Sequence, residues 1–298
     1  MPHHITIGSR GSDLALWQAR HISSQLHSIG VSSRIHIIKT QGDRVQHLSL
    51  DKLEGKGFFT KELEDALLNK EIDLAVHSHK DLETEQPAGL IVAAVSERAD
   101  AAELLLVRKE CVDDTQLWGL PNQAVIGTSS ARRKAQMLHH RPDVQLEDIR
   151  GNVPTRIDKL RNKSFDAILL AKAGVARLQL DISDLDAQII PVHELVPAPA
   201  QGALAMQCRS DDALLIEKLN LLNHRPTAEC IYIERTVLNR LHGGCHIPLG
   251  VYANQKSAAF EVQVAFAEAW NAPVKKFAVH GQDADRLIDE ILSSIHDT

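Results

Sequence analysis

Ala124-Val125-Ile126-Gly127-Thr128-Ser129-Ser130-Ala131-Arg132-Arg133 runs from an apolar strand through three hydroxyls into a helix that opens on two arginines. Two more apolar strands follow, over 144–149 and 166–171, with a helix from about Val153 between them. Strand and helix alternating at this spacing predict a parallel sheet covered by helices. Each strand end delivers basic or hydroxyl side chains. Thr128, Ser129, Ser130, Arg132 and Arg133 follow the first, Arg150 and Gly151 the second, and Lys172 and Arg177 the third, with Arg156 on the intervening helix. Backbone N–H groups also point outward at such junctions, so the pattern predicts a basic, anion-binding cleft rather than arginines scattered over solvated faces.

Toward the N-terminus the same grammar recurs. Residues 4–8 read as a strand ending at Ser9-Arg10-Gly11-Ser12; Ser12 is the expected N-cap of a helix that stops at Gly30. Arg10 stands beside that helix start, which itself favours anions. A strand is expected over 34–39, a glycine-punctuated loop carrying Lys56 over 51–59, and then a helix capped by Thr60. The buried strand Ile72-Asp73-Leu74-Ala75-Val76 leads into His77-Ser78-His79-Lys80-Asp81. Two histidines at alternate positions share a face only while the strand continues, and no third ligand accompanies them, so no metal is expected. Asp81 is the candidate for chemistry. A lone carboxylate among cations stays ionised and can stabilise a cationic intermediate or pass a proton; its structural alternative is a cap.

A strand over 90–95 precedes a crossing near 99–103, and Val196-Pro197-Ala198-Pro199-Ala200-Gln201-Gly202 reads as the return crossing. Two crossings between two α/β halves make a hinged pair. The expected fold class is α/β: two periplasmic-binding-protein-like (type II) α/β domains around a cleft, plus a small C-terminal α/β domain. The expected boundaries are 1–98 with 197–216, then 99–196, then 217–298. The last domain is read from helical segments after Ala213, strands over 250–253, 260–267 and 275–280, and a helix over 284–295. Its loop Leu241-His242-Gly243-Gly244-Cys245-His246-Ile247-Pro248-Leu249-Gly250 cannot be mid-helix, because glycine and proline both penalise one. The thiol of Cys245 reads as a nucleophile or covalent tether, or as a small hydrophobe filling a turn.

The composition, 44% hydrophobic and 24% charged over 298 residues, is that of a soluble globular chain of two or three domains. No apolar run reaches membrane-spanning length and no signal peptide is evident, so no membrane partner is expected. Four cysteines lie far apart, which favours a reducing, cytoplasmic setting. Net charge is −6, yet residues 128–180 hold eleven Lys and Arg against five Asp and Glu. Such concentration points to an anionic ligand, and aromatics at 4% are too few for nucleic-acid stacking platforms, so no nucleic acid is expected.

The motifs in order are Ser9-Arg10 with Leu14-Ala15-Leu16-Trp17-Gln18-Ala19, Thr40 with Gly42-Asp43, Gly55-Lys56-Gly57, and Ala75-Val76-His77-Ser78 with Lys80-Asp81. They continue with Gly127-Thr128-Ser129-Ser130 and Arg132-Arg133, Arg150-Gly151-Asn152-Val153 with Thr155-Arg156, Ala173-Gly174 with Arg177-Leu178, Gln201-Gly202-Ala203, and Gly243-Gly244-Cys245. In that order, over essentially the whole length, the chain resembles the hydroxymethylbilane synthase (porphobilinogen deaminase) family of tetrapyrrole biosynthesis. The resemblance implies a transferase, a cytoplasmic monomer, with porphobilinogen as substrate and a dipyrromethane cofactor bound covalently through Cys245. It implies Asp81 as the catalytic carboxylate, and Ser78, Lys80, Thr128, Ser129, Ser130, Arg132 and Arg133 around the cofactor. Arg10, Ser12, Arg150, Arg156 and Arg177 then receive substrate and the growing chain. Arginine forks suit the acetate and propionate groups that every pyrrole unit carries.

Three positions depart from the family pattern. Leu82-Glu83-Thr84-Glu85 brings two acids where a proline is usual, Pro154 stands where glycine is common, and His79 fills a position more often apolar. The rival readings are a non-catalytic anion binder of the periplasmic type, an inactive homologue, and a Cys-His hydrolase using Cys245 with His246 or His242. Adjacent residues on a tight loop seldom meet as nucleophile and base, which disfavours the last.

Overall fold

The computed structural model describes residues 4–39, 60–242 and 247–296. Cys245 with its two glycines, the 51–59 loop with Lys56, and the Thr40 and Gly42-Asp43 motif lie outside the described residues. In chain order the strands are β1 (Ile5–Ser9), β2 (Ser33–Ile37), β3 (Leu74–Ser78), β4 (Leu90–Val95), β5 (Glu103–Arg108), β6 (Val125–Gly127) and β7 (Gln145–Glu147). They continue as β8 (Ala167–Ala171), β9 (Leu185–Ile190), β10 (Leu204–Arg209), β11 (Leu249–Lys256), β12 (Ala259–Phe266) and β13 (Lys275–Gly281). The helices are α1 (Asp13–Ser28), α2 (Lys61–Leu68), α3 (Ala131–His140) and α4 (Val153–Arg161). After them come α5 (Lys172–Leu178), α6 (Ala213–Asn220), α7 (Arg225–Arg240) and α8 (Ala284–His296).

Two compact units result, Met1–Ala99 with Gly202–Glu229 and Asp100–Gln201 with Cys230–Thr298. The first holds one sheet, in the order β2-β1-β3-β10-β4. The second holds a sheet in the order β7-β6-β8-β5-β9 and an antiparallel meander of β11, β12 and β13. The two five-stranded sheets share one plan: three parallel strands, then an antiparallel strand inserted before the last. That is the α/β class expected.

The expectation of an all-parallel sheet is corrected. β5 runs antiparallel to both β8 and β9. The crossing read near 99–103 leads straight into a strand that the expected elements left out, with Leu104-Leu105-Leu106-Val107 each at most 5% exposed. A short apolar run without periodicity carries no direction, so the sequence could not disclose this reversal.

Local rules explain the helix starts. Ser12 Oγ accepts from the Ala15 N–H at 3.4 Å, Ser130 Oγ from that of Arg133 at 3.4 Å, and Asn152 Oδ1 from that of Thr155 at 3.0 Å. Pro154 falls in the first turn of α4, where its missing N–H breaks no helical bond, so this departure is accommodated. Thr60 is a correction. It precedes α2 as expected, but its own backbone is helical (φ −115°, ψ −26°) and its hydroxyl makes no cap bond. In α1 the buried face is Gln18, Ala19, Ile22 and Leu26, and burying the last two contributes roughly 1.5–3 kcal/mol each.

The segment Val196–Gln201 is strapped down within the second unit. Arg132 Nη1 and Gln136 Nε2 both donate to the Val196 carbonyl at 3.0 Å, and the Val251 N–H donates to that of Pro197 at 3.2 Å. Glu234, 0% exposed, accepts from the Ala200 N–H at 2.6 Å and from the Ala253 N–H at 2.8 Å. Gly250 completes the strap: a Cβ there would stand 2.5 Å from the Val196 carbonyl oxygen.

Candidate functional site

In the first unit, β3 ends at Ser78 and the chain turns at once into a 3₁₀ turn over His79–Asp81. The strand therefore does not continue through both histidines. His79 is buried, its N–H donating to the Ala203 carbonyl at 3.0 Å. Lys80 is half-buried and Asp81 exposed. Ser78 Oγ accepts a 2.7 Å bond from Gln18 Nε2, and Gln18 is only 3% exposed, so α1 fixes this hydroxyl. β1 pairs in parallel with β3, which sets half-buried Arg10 and the capping Ser12 at the same carboxyl edge as Ser78, Lys80 and Asp81.

Beneath that edge lies a buried polar chain. His77 Nε2 donates to Gln207 Oε1 at 3.0 Å, and Gln207 Nε2 donates to Glu64 at 3.2 Å and Gln86 at 2.7 Å. Burial, with the Arg10 charge adding to it, lowers the His77 pKa to about 4 against the hydrogen bond that the ring donates to Gln207. Burial chiefly raises that of Glu64, with Glu83 and Asp65 adding to the effect. Glu83 belongs to the acidic Leu82–Glu85 departure, so that departure reaches the network through its field.

A pH dependence follows. The unfolded chain protonates His77 near 6.5 and the folded one near 4, so in that window the unfolded state holds the extra proton. Stability contributed by the neutral ring is complete above about 6.5 and is lost as pH falls toward 4, by about 3 kcal/mol. His77→Gln should flatten that limb of a pH–stability curve measured by urea unfolding between pH 4 and 7; an unchanged limb refutes the assignment.

In the second unit, β6, β7 and β8 are parallel and their carboxyl ends carry the expected residues. Thr128 is 1% exposed and its Oγ1 accepts from the Ser130 N–H at 3.4 Å. Ser129 Oγ bridges to both the carbonyl and the N–H of Ile149, at 2.9 and 3.0 Å, while Ser130 caps α3. These hydroxyls tie the strand ends together. Gly151 takes φ +113°, and a Cβ there would meet Thr155 at 2.6 Å, which explains the glycine after Arg150. Arg150 is half-buried, Arg156 Nε donates to the Gly151 carbonyl at 2.8 Å, and burial draws the Arg177 guanidinium down to about 10. At neutral pH it remains a cation.

Arg132 and Arg133 are 4% and 6% exposed and converge on Glu103, which is 0% exposed. Arg132 Nη2 meets one carboxylate oxygen and Arg133 Nη2 the other, both at 2.7 Å. Sequence reading gave Glu103 no role, although a single acid heading the apolar run Ala101-Ala102-Glu103-Leu104-Leu105 was a legible signal. Gln18 was likewise missed. The basic surplus of 128–180 also overstates the charge at the strand ends, because Lys134–Asp148, Arg141–Asp143, Arg161–Asp184 and Lys172–Asp100 are ion pairs.

Cations and hydroxyls stand at the carboxyl edges of the parallel strands in each of two sheets of one plan, which defines an α/β protein. The family model for the porphobilinogen deaminase dipyrromethane cofactor binding domain matches residues 5–217, and that for the porphobilinogen deaminase C-terminal domain matches 228–282. A porphobilinogen deaminase of Nitratiruptor sp. is 46% identical, covering 84% of this chain and 78% of its own. That of Pelotomaculum thermopropionicum is 39% identical over 98% of this chain and 94% of its own. This chain belongs to the porphobilinogen deaminase family.

Proposed function

We propose that the chain is a hydroxymethylbilane synthase, a transferase that deaminates four porphobilinogen molecules and joins them head to tail on a covalent dipyrromethane, releasing hydroxymethylbilane and ammonia. The observation that carries this is Asp81, an exposed carboxylate beside Lys80 on the β3 edge, within a family match spanning 5–217. Arg132 and Arg133 with one buried carboxylate leave a net positive charge inside the fold, which fits a cofactor bearing carboxylates. Bound through Cys245, the group supplies a pyrrole with an open carbon for each new unit.

The chain's own residues do the rest. Asp81 holds its negative charge where positive charge develops on the substrate ring as ammonia leaves. Arg10, Ser12, Arg150, Arg156 and Arg177 receive the substrate's carboxylates, each charge-assisted bond contributing about 1.5–3 kcal/mol. Ser78, Lys80, Thr128, Ser129 and Ser130 border the cofactor with Arg132 and Arg133. The expected three domains, 1–98 with 197–216, 99–196 and 217–298, belong to the same reading, as does a cytoplasmic monomer; no described helix is long and apolar enough to cross a membrane.

The test is the mass of the purified, denatured chain. It should exceed the sequence mass by two linked pyrroles and colour with Ehrlich's reagent. An unmodified mass without colour replaces the enzyme by a binder.

A further inference from the structure

Glu103 heads β5 without any exposure, and Arg132, Arg133 and Gln201 converge on its carboxylate. Arg132 Nη2 and Gln201 Nε2 reach Oε1 at 2.7 and 3.0 Å, while Arg133 Nε and Nη2 reach Oε2 at 3.1 and 2.7 Å. The remaining bonds of the two guanidiniums go to main-chain carbonyls, Arg132 to Val196 and Arg133 to Leu169. Each guanidinium carries five N–H donors, so these contacts with described residues leave donors over. Charge is also left over. Among the described residues, the ion pairs set two guanidiniums against one carboxylate, which leaves one positive charge unbalanced in a cluster at most 6% exposed. An unbalanced buried charge is costly, whereas a second carboxylate would complete the set.

We propose that Glu103 is a positioning residue for the cofactor: it holds Arg132 and Arg133 as a rigid, half-neutralised fork that accepts one incoming carboxylate. The proposal rests on the reading above, in which those arginines hold the dipyrromethane. A chain that acquires its cofactor after folding must first keep two adjacent guanidiniums together without that ligand, and like charges so close repel. Glu103 solves this from inside. It also fixes the direction of the fork, since a two-oxygen carboxylate gripping both partners leaves neither free to rotate.

The experiment compares apo and cofactor-loaded protein, the apo form coming from a host that makes no porphobilinogen. In Glu103→Gln the cluster carries two unbalanced charges when apo but one when loaded. The melting temperature of the apo form should therefore fall by roughly 10 °C, and that of the loaded form by less than half as much. Equal falls in the two forms, or a larger fall in the loaded form, overturn the proposal and leave Glu103 a purely structural acid. Should apo Glu103→Gln fail to fold while the loaded form folds, the same asymmetry is met in the extreme. If neither folds, Glu103→Asp, which keeps the charge but withdraws the oxygens, is read by the same comparison. Intact mass is recorded throughout: a wild-type chain that never gains the two-pyrrole increment refutes the enzyme reading itself, a result distinct from equal melting shifts.

Discussion

Asp81→Ala is expected to leave the two-pyrrole mass increment in place while slowing ammonia release from porphobilinogen by at least about 100-fold. The carboxylate stands on the 3₁₀ turn after β3, exposed, with Lys80 next to it and Arg10 at the same strand edge. With Lys80 and Arg10 as its named neighbours, it is the group placed to offset positive charge on a substrate ring, and removing it leaves those cations facing a cation. Truncation here disturbs no buried contact, so the fold should be preserved and the loss should appear in the rate of the chemical step. Asp81→Asn separates charge from shape: it should lose as much as alanine, and Asp81→Glu should recover part. Near-normal ammonia release from Asp81→Ala in a single-turnover assay would show the carboxylate misassigned.

Cys245→Ala should abolish the mass increment altogether and reduce turnover below detection. A thioether requires a thiolate nucleophile, so the question is whether another cysteine can substitute. Cys208 and Cys230 are buried, and burial pushes the Cys208 thiol up to about 11. Cys111 is partly exposed, but burial and its hydrogen bond to Asp166 raise its pKa as well. Cys208 and Cys111 are thus held in the thiol form at neutral pH, and Cys230 is shut away from the substrate by burial. Intact-mass measurement on Cys245→Ala decides the matter, since a retained increment would place the tether elsewhere.

What could be read beforehand follows from which interactions are local. The cap at Ser12, the helix start at Ser130, the strand over 90–95 and the closing helix were legible because each rests on periodicity or on a side chain bonding three residues away. The direction of β5 was not, because it depends on partners β8 and β9, whose paired residues lie 60–68 and 77–87 positions away along the chain. The candidate arginines were legible as strand-end cations; that Arg132 and Arg133 share a buried acid was not, since Glu103 precedes them by 29 and 30 residues. The same limit hid Gln18 under Ser78, a bond across 60 residues. Long-range polar pairing leaves only an oddity in composition, a single acid within an apolar run.

Glu234 has a consequence for cooperativity. One carboxylate serves as acceptor for the amides of Ala200 and Ala253, residues that belong to the strap and to the meander. Any fluctuation that lets water reach that acceptor unlatches both amides at once. The strap and the meander's first strand thus open together or stay closed together, forming a single unit of local unfolding although 53 residues separate the two amides.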